Sequence, residues 1–525
     1  MNSSIRSRTT SPTARTSRRR KASAAIGAGL ALVLALSGCS AWFEAPVQAS
    51  TPTGEAVEPA LEPFYAQVLE WSECGTDLQC ATATAPLDWD ELGGDTIELA
   101  LVRQEATSGT SLGSLLVNPG GPGGSGYDFI HDSIDYATSE RLQSNFDVVG
   151  FDPRGVNRST PISCYDDPAT LDSYIFDITP GVRGSTEWLA ASAAAAAQFG
   201  QDCLTYTGPL LGTVDTKSAA RDLDMLRAAL GDEKLNYLGY SYGTELGGTY
   251  ADLFPEKAGR LVFDGAVDPL ASNYDVSSTQ AKGFESALRS FFAACPTLEG
   301  CNFTGTVDDN MKTVRTLLDT LDASPLKNAD GRELGASSMF TAIIFPLYNV
   351  DNWPALANVF STVMAGDASF AFTVADAYYA RSADGTYADN STEAFTVITC
   401  LDYPTDSTLE TMQQQAAALD AEAPVFGHLM SWGGVGCSDW PFPPVSVPKA
   451  VTAEGSADIL VVGTTNDPAT PYIWAQNVAS QLENGHLVTY TGEGHTAYNK
   501  SNDCILNTVD DYFINGTVPA ADPQC

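Results

Sequence analysis

The stretch "NYLGYSYGTELGG", residues 236–248, sets Ser241 between two aromatic residues, with a glycine two positions away on each side. A buried-strand pattern, "LNYLGYS", runs up to the serine, and "TELGGTYADLF", which can start a helix, follows it. Strand before and helix after a G-x-S-x-G pattern is the setting of a nucleophile elbow, in which a sharp turn lifts the serine hydroxyl out of a sheet. The glycines permit a turn too tight for a Cβ. A turn serine with a purely structural role is the competing reading, and the flanking elements favour Ser241 as a nucleophile.

Outward from this turn, short apolar runs alternate with helical patterns: "TIELALVR" (96–103), "GSLLVNPGG" (113–121), "FDVVGFDPRG" (146–155), "RLVFDGAVDP" (260–269) and "DILVVGTTND" (458–467). Several are apolar on both faces, as parallel strands covered by helices must be. Between two of them Ala219, Leu223, Leu226 and Leu230 mark one face of a helix ending at Gly231. The expected fold is therefore α/β, a doubly wound, mostly parallel sheet. The rhythm stops after Pro269 and resumes near 456, so 61–269 and 456–525 read as the two parts of the sheet domain. Residues 270–455 read as an inserted, mainly helical cap.

A serine nucleophile needs a general base, and the chain has four histidines: His131, His428, His486 and His495. The chain order Ser, acid, His of this architecture removes His131. His486 lies in a strand pattern and His428 in the expected cap, whereas His495 lies in the glycine-flanked loop "TGEGHTAY" just after a strand. His495 is the expected base. The acid that orients it should end the preceding strand, where "ILVVGTTNDPATP" puts Asp467, with Thr470 placed to bond its carboxylate. Asp264 and Asp268 are the alternatives. For the oxyanion, "VNPGGPGGSG" offers backbone amides, with Gly121 the expected donor, Gly120 possible, and Tyr242 supplying the second. Arg154 in "DPRG" is expected to brace this loop. No G-K-[ST] follows the glycines, and no CxxC or HxxxH spacing occurs, so no phosphate loop, metal or cofactor is expected.

The first 38 residues, a basic Ser/Thr-rich segment and then an apolar run ending in small residues, read as an export signal. Leu36-Ser37-Gly38-Cys39 is similar to the bacterial lipobox, which makes Cys39 the expected lipidation site; 39–60 read as a tether, and the chain as lipid-anchored on the extracytoplasmic face of the membrane, an ordinary signal peptide and a secreted chain being the alternative. Removing the signal takes away seven basic and no acidic residues, moving the net charge from −38 to −45. Such a surface repels nucleic acid and anionic headgroups, leaving the lipid as the only expected membrane contact. Ten cysteines remain in a chain bound for an oxidising compartment. Short spacings pair Cys74 with Cys80 and Cys295 with Cys301. Sequence order then pairs Cys164 with Cys203, Cys400 with Cys437, and Cys504 with Cys525.

The set "NPGGPGGSG", "FDPRGVNRS", "LNYLGYSYGTELGGTYADLFP", "LVFDGAVDP", "DPATP" and "GEGH" resembles the bacterial tripeptidyl aminopeptidase group of the prolyl-aminopeptidase family of α/β hydrolases. It covers nearly all of residues 80–525, the cap mainly around "TCLDYP" and "CSDWPF". The resemblance implies an exported serine exopeptidase acting on peptides. Prolyl aminopeptidases usually carry His before Gly-Gly-Pro-Gly; Pro119 stands there, which favours the tripeptidyl branch over proline specificity. An esterase, lipase or acyltransferase using the same three residues is the alternative enzyme, and an inactive binding protein the alternative of another class. A substrate α-amino group entering a closed pocket needs carboxylates or several acceptors, and Asp402, Asp439 and Glu245 are the candidates. For the anchor, Cys39→Ala is expected to release the chain from membranes or block its processing; unchanged membrane partition and mobility would remove the lipobox assignment.

Overall fold

Short runs of Leu, Val, Ile and Phe become strands because both of their faces are covered. The computed structural model describes residues 48–525 apart from Ser407, so the expected signal, Cys39 and the start of the tether lie outside the described residues. In chain order the strands are β1 (Gln48–Ala49), β2 (Glu70–Gly75), β3 (Leu78–Pro86), β4 (Thr96–Gln104), β5 (Ser114–Asn118), β6 (Asp147–Phe151), β7 (Leu235–Tyr240), β8 (Ala258–Asp264), β9 (Leu326–Lys327), β10 (Glu333–Leu334), β11 (Ile459–Asn466) and β12 (Gly485–Glu493). Ten form one sheet in the order β1-β2-β3-β4-β6-β5-β7-β8-β11-β12, and β9 and β10 pair separately. From β6 to β12 all neighbours are parallel, while β1 to β4 and the β4–β6 pair are antiparallel.

Side-chain alternation along these strands feeds two cores. Leu116, Val149, Tyr237 and Leu261 face Leu223 and Leu226 of the helix Thr216–Leu230. Leu115, Val148, Leu238 and Val462 face Ile505, Val509 and Phe513 of the helix Asp503–Asn515. The helix over 216–230 stops at Gly231, whose φ of 97° suits a residue without Cβ. The central strand β5 leaves toward β6 on one side, and the chain returns through β7 on the other. That reversal opens a crevice at the carboxyl ends of β5 and β7, the place where open α/β sheets bind ligands.

Between β8 and β11 the chain is mainly helical, from Asn273–Ala294 to the turn Gly433–Cys437, around a third core of Phe284, Phe291, Met339 and Phe360. The segment between β6 and β7 joins it: Phe176 packs into this core, and Trp188 and Leu189 pack with Met412 and Val435. The helical layer thus draws on residues N-terminal to the expected 270–455 span. Two disulfides tie its turns, Cys295–Cys301 and Cys400–Cys437, and Cys164–Cys203, Cys74–Cys80 and Cys504–Cys525 close the other pairs.

Two sequence expectations need correction. Residues 48–60 do not behave as a tether: β1 pairs with β2, Thr53 N–H donates to Ala228 O at 2.9 Å, and Glu55 takes ion pairs from Arg227 and Lys257. Composition rich in Pro and Thr hid a segment held by backbone pairing and buried charge. Arg154 does not brace the glycine loop. It is fully buried, donates to both carboxylate oxygens of Asp222 at 2.7 Å, and binds the carbonyls of Pro86, Leu87 and Thr213. Asp152, two residues earlier, does the bracing, accepting from Ser125 Oγ at 2.5 Å and Tyr127 N–H at 3.2 Å. Removing one partner of a buried ion pair leaves the other charge uncompensated, so Asp222→Asn is expected to lower the unfolding free energy by about 3–5 kcal/mol in urea titration. A loss below about 1 kcal/mol, the scale of an ordinary substitution, would contradict that role.

Candidate active site

Ser241 follows β7 directly and takes φ 54°, ψ −127°, a conformation rarely open to a residue with a side chain. Its N–H donates to Asp264 O at 2.9 Å and its carbonyl accepts from Thr244 N–H and Thr244 Oγ1, so the turn is fixed from both sides. The neighbouring glycines are sterically required. A Cβ on Gly239 would stand 2.4 Å from Gly243 O, and one on Gly243 2.8 Å from Asn118 O. The helix Tyr242–Leu253 starts at once, and Ser241 makes no side-chain cap, which leaves its hydroxyl free.

Asp467 directly follows β11 and His495 lies in the loop after β12, at the ends of neighbouring parallel strands. His495 Nδ1 stands 3.0 and 2.9 Å from the two carboxylate oxygens of Asp467. The same carboxylate accepts from the amides of Ala469, Thr470 and Thr496 and from Thr470 Oγ1. Neither Ser241 Oγ nor His495 Nε2 has a hydrogen-bond partner among the described residues. Gly265 lies between them: it follows Asp264, which holds the Ser241 amide, and a Cβ there would be 3.3 Å from His495 Cε1. The alternative acids serve elsewhere. Asp264 accepts from the amides of Ala497 and Tyr498, fixing the histidine loop, and Asp268 binds Asn477 and Gln481. His131, His486 and His428 lie beside Asp132, Asp458 and the pair Asp319 and Asp322 respectively.

The loop after β5 presses on the serine turn. A Cβ on Gly120 would fall 2.5 Å from Tyr240 O and 2.9 Å from Ser241 Cβ, so only glycine fits. Gly121, at φ 113°, and Tyr242 line a cavity of about 330 Å³ together with Ser241, Thr470, Glu245 and Asp402. A larger cavity of about 750 Å³, among Trp188, His428 and Trp432, contains none of the three residues Ser241, Asp467 and His495.

Similarity to curated proteins extends over most of the chain and most of each relative. Serine protease Hip1 of Mycobacterium tuberculosis is 36% identical over 485 residues, covering 88% of this chain and 92% of the relative. Carboxylesterase B of the same organism is 35% identical over 500 residues (91% and 95%), and tripeptidyl aminopeptidase of Streptomyces lividans 30% over 472 (87% and 86%). The family model for TAP-like protein matches residues 423–525. The chain belongs to the TAP-like family of α/β-hydrolase serine hydrolases.

In this TAP-like hydrolase the carboxyls fall into two kinds. Burial works against ionising Asp467, yet the His495 charge and hydrogen bond, with the Thr470 and Thr496 amides, hold its carboxyl below the usual range. Glu245 is the reverse case: burial pushes it up to about 7, against the hydrogen bond from Tyr403, whose hydroxyl reaches both of its oxygens at 2.9 and 2.8 Å. Asp402 is also pushed up, by burial and by the neighbouring Glu245, and it accepts from Thr216 N–H at 3.0 Å and Thr216 Oγ1 at 2.6 Å. Asp439 is exposed and does not line the cavity; although Cys400 and Cys437 are bonded, the chain turns away at Asp439, where φ is 51°. Sequence inspection passed over Tyr403 and Thr216. Tyr403 directly follows Asp402 in "LDYP", but nothing local says that its hydroxyl reaches Glu245. Ser241→Ala is expected to abolish labelling by a fluorophosphonate probe while circular dichroism stays unchanged; a folded variant that still labels at the wild-type rate would take Ser241 out of the chemistry.

Proposed function

We propose that this chain is an exported serine exopeptidase that releases short peptides, tripeptides on this reading, from free N-termini through an acyl-enzyme. Ser241 Oγ attacks the scissile carbonyl while His495 Nε2 takes its proton, and Asp467 stabilises the imidazolium. The Gly121 and Tyr242 amides receive the oxyanion. His495 then protonates the leaving amine, and water, activated by the same imidazole, hydrolyses the ester on Ser241.

The observation that carries the exopeptidase reading is the chemistry of the cavity. Glu245 and Asp402 share it with Ser241, and none of its lining residues is Lys, Arg or His. A peptide α-ammonium supplies the missing cation and is compensated for its lost hydration by a carboxylate. Glu245 is the primary anchor on this reading, because it is half-buried and its oxygens share a single donor, the Tyr403 hydroxyl, whereas Asp402 is buried and takes both the amide and the hydroxyl of Thr216. The carboxylesterase relative favours a second reading, ester hydrolysis by the same cycle, in which the acid pair has no cation to bind. Five disulfides accord with export, and Cys39 remains the proposed lipid attachment on the outer face of the membrane.

Acetylating the N-terminus of a tripeptide anilide is expected to lower kcat/KM at least about tenfold, or about 1.4 kcal/mol. Glu245→Gln should erase most of that difference, and equal hydrolysis of the free and acetylated peptides would remove the aminopeptidase assignment. The pH dependence has a defined sign. With a folded pKa of about 7, above the ordinary carboxyl value, Glu245 favours the folded state when protonated, and that contribution is lost as pH rises through about 7. Binding an ammonium favours the ionised form, so KM for a free peptide should fall as pH rises through about 7. It should rise again as the peptide amine deprotonates near about 8. A KM unchanged between these limits would contradict the anchor.

A further inference from the structure

The cavity that contains Ser241 shares a wall with a second, smaller one. Asn273, Ser277 and Gly433 line both, the first of about 330 Å³ and the second of about 130 Å³. Tyr403 lines the large cavity beside Asp402, and Pro404, the next residue, lines the small one, which places the small cavity behind the acid pair. The wall is thin. A Cβ on Gly433 would stand 3.3 Å from Ser277 Oγ and 3.5 Å from Asn273 Oδ1, so the turn Gly433–Cys437 lies against the first turn of the helix Asn273–Ala294 with room for a methyl group only if a neighbour shifts by a few tenths of an ångström. Gly433 is not among the positive-φ glycines, so its backbone admits a side chain and only space favours glycine. The side-chain polar atoms of Asn273 and Ser277 have no hydrogen-bond partner among the described residues.

We propose that Asn273, Ser277 and Gly433 form the stop that limits how many residues of a substrate fit between its N-terminus and Ser241. This rests on the free-N-terminus reading. The small cavity has room for about four waters at about 30 Å³ each. Opening the wall lets the bound chain run on by roughly one residue, about 3.3 Å of extended backbone. Filling it at Gly433 shortens the register instead. The stop is thus a specificity determinant separate from the reacting atoms, and its substitution shifts peptide length preference without touching the chemistry at Ser241.

The test compares kcat/KM for free di-, tri- and tetrapeptide anilides and an N-acetyl tripeptide anilide in wild type, Asn273→Ala/Ser277→Ala and Gly433→Val. Fluorophosphonate labelling rate reports an intact site, and Gly433→Ala stands in if the valine variant fails to label. The double variant is expected to raise the tetrapeptide-to-tripeptide ratio at least about tenfold, and Gly433→Val to lower the tripeptide-to-dipeptide ratio by a similar factor, with labelling within about threefold of wild type. Labelling intact with both ratios within about threefold of wild type overturns the stop. If that happens while wild type still discriminates against the acetylated peptide, the stop alone fails. A wild type that treats free and acetylated peptides alike overturns the N-terminus reading and the stop with it.

Discussion

The rest of the structure depends on a backbone strain at one residue. Ser241 is held at φ 54°, ψ −127°, which costs on the order of 1–3 kcal/mol and persists only where the surroundings over-determine it. Gly239, Gly243 and Gly120 clear the space that the turn needs, and β8 fixes the serine amide through Asp264 O. The parallel sheet is what makes this possible. It brings the ends of β5, β7, β8 and β11 side by side, so that the glycine loop, the serine turn, Gly265 and Asp467 meet within one crevice.

Around that turn the protein buries carboxyls in two ways. Asp467 and Asp264 are ringed by backbone amides that fix loops in place; with the His495 contact added, Asp467 is held below the usual carboxyl range, whereas burial still pushes Asp264 up. Asp222 is matched instead by Arg154, a pair given over to holding the sheet to its helix. Glu245 and Asp402 have neither remedy. Their donors are hydroxyls and one amide, and no cation lines their cavity; burial raises them as it raises Asp222 and Asp264, but without a buried guanidinium or a ring of amides to offset it. On the proposed reading, this carboxyl pair beside Ser241 takes its cation from the substrate. The cap makes this environment, since Asp402 and Tyr403 come from its elements while Glu245 comes from the nucleophile helix.

The central strands and the Ser241, Asp467 and His495 positions were legible because their signals are local: apolar runs of strand length, glycines at fixed offsets and a loop histidine after a strand. The antiparallel β2 to β4 edge and the attachment of residues 48–60 were not, because both depend on pairing between distant segments. Arg154 shows the same limit. Its motif sits beside the glycine loop in sequence, but the guanidinium points back to Asp222, 68 residues away, and Asp152 takes the loop. Asp439 failed for the opposite reason: a disulfide close in sequence fixes Cys437 but not the direction of the chain two residues later.

The most direct measurement is time-resolved mass spectrometry of a free, unlabelled peptide of about ten residues during digestion, since its products report the cleavage position without a reporter group. Short N-terminal fragments released in sequence are expected, with a matching ladder of shortened C-terminal remnants, and no ladder when the N-terminus is acetylated. Internal cleavage that ignores the N-terminus, or an intact peptide in the presence of enzyme that rapidly hydrolyses simple esters, would contradict the exopeptidase reading.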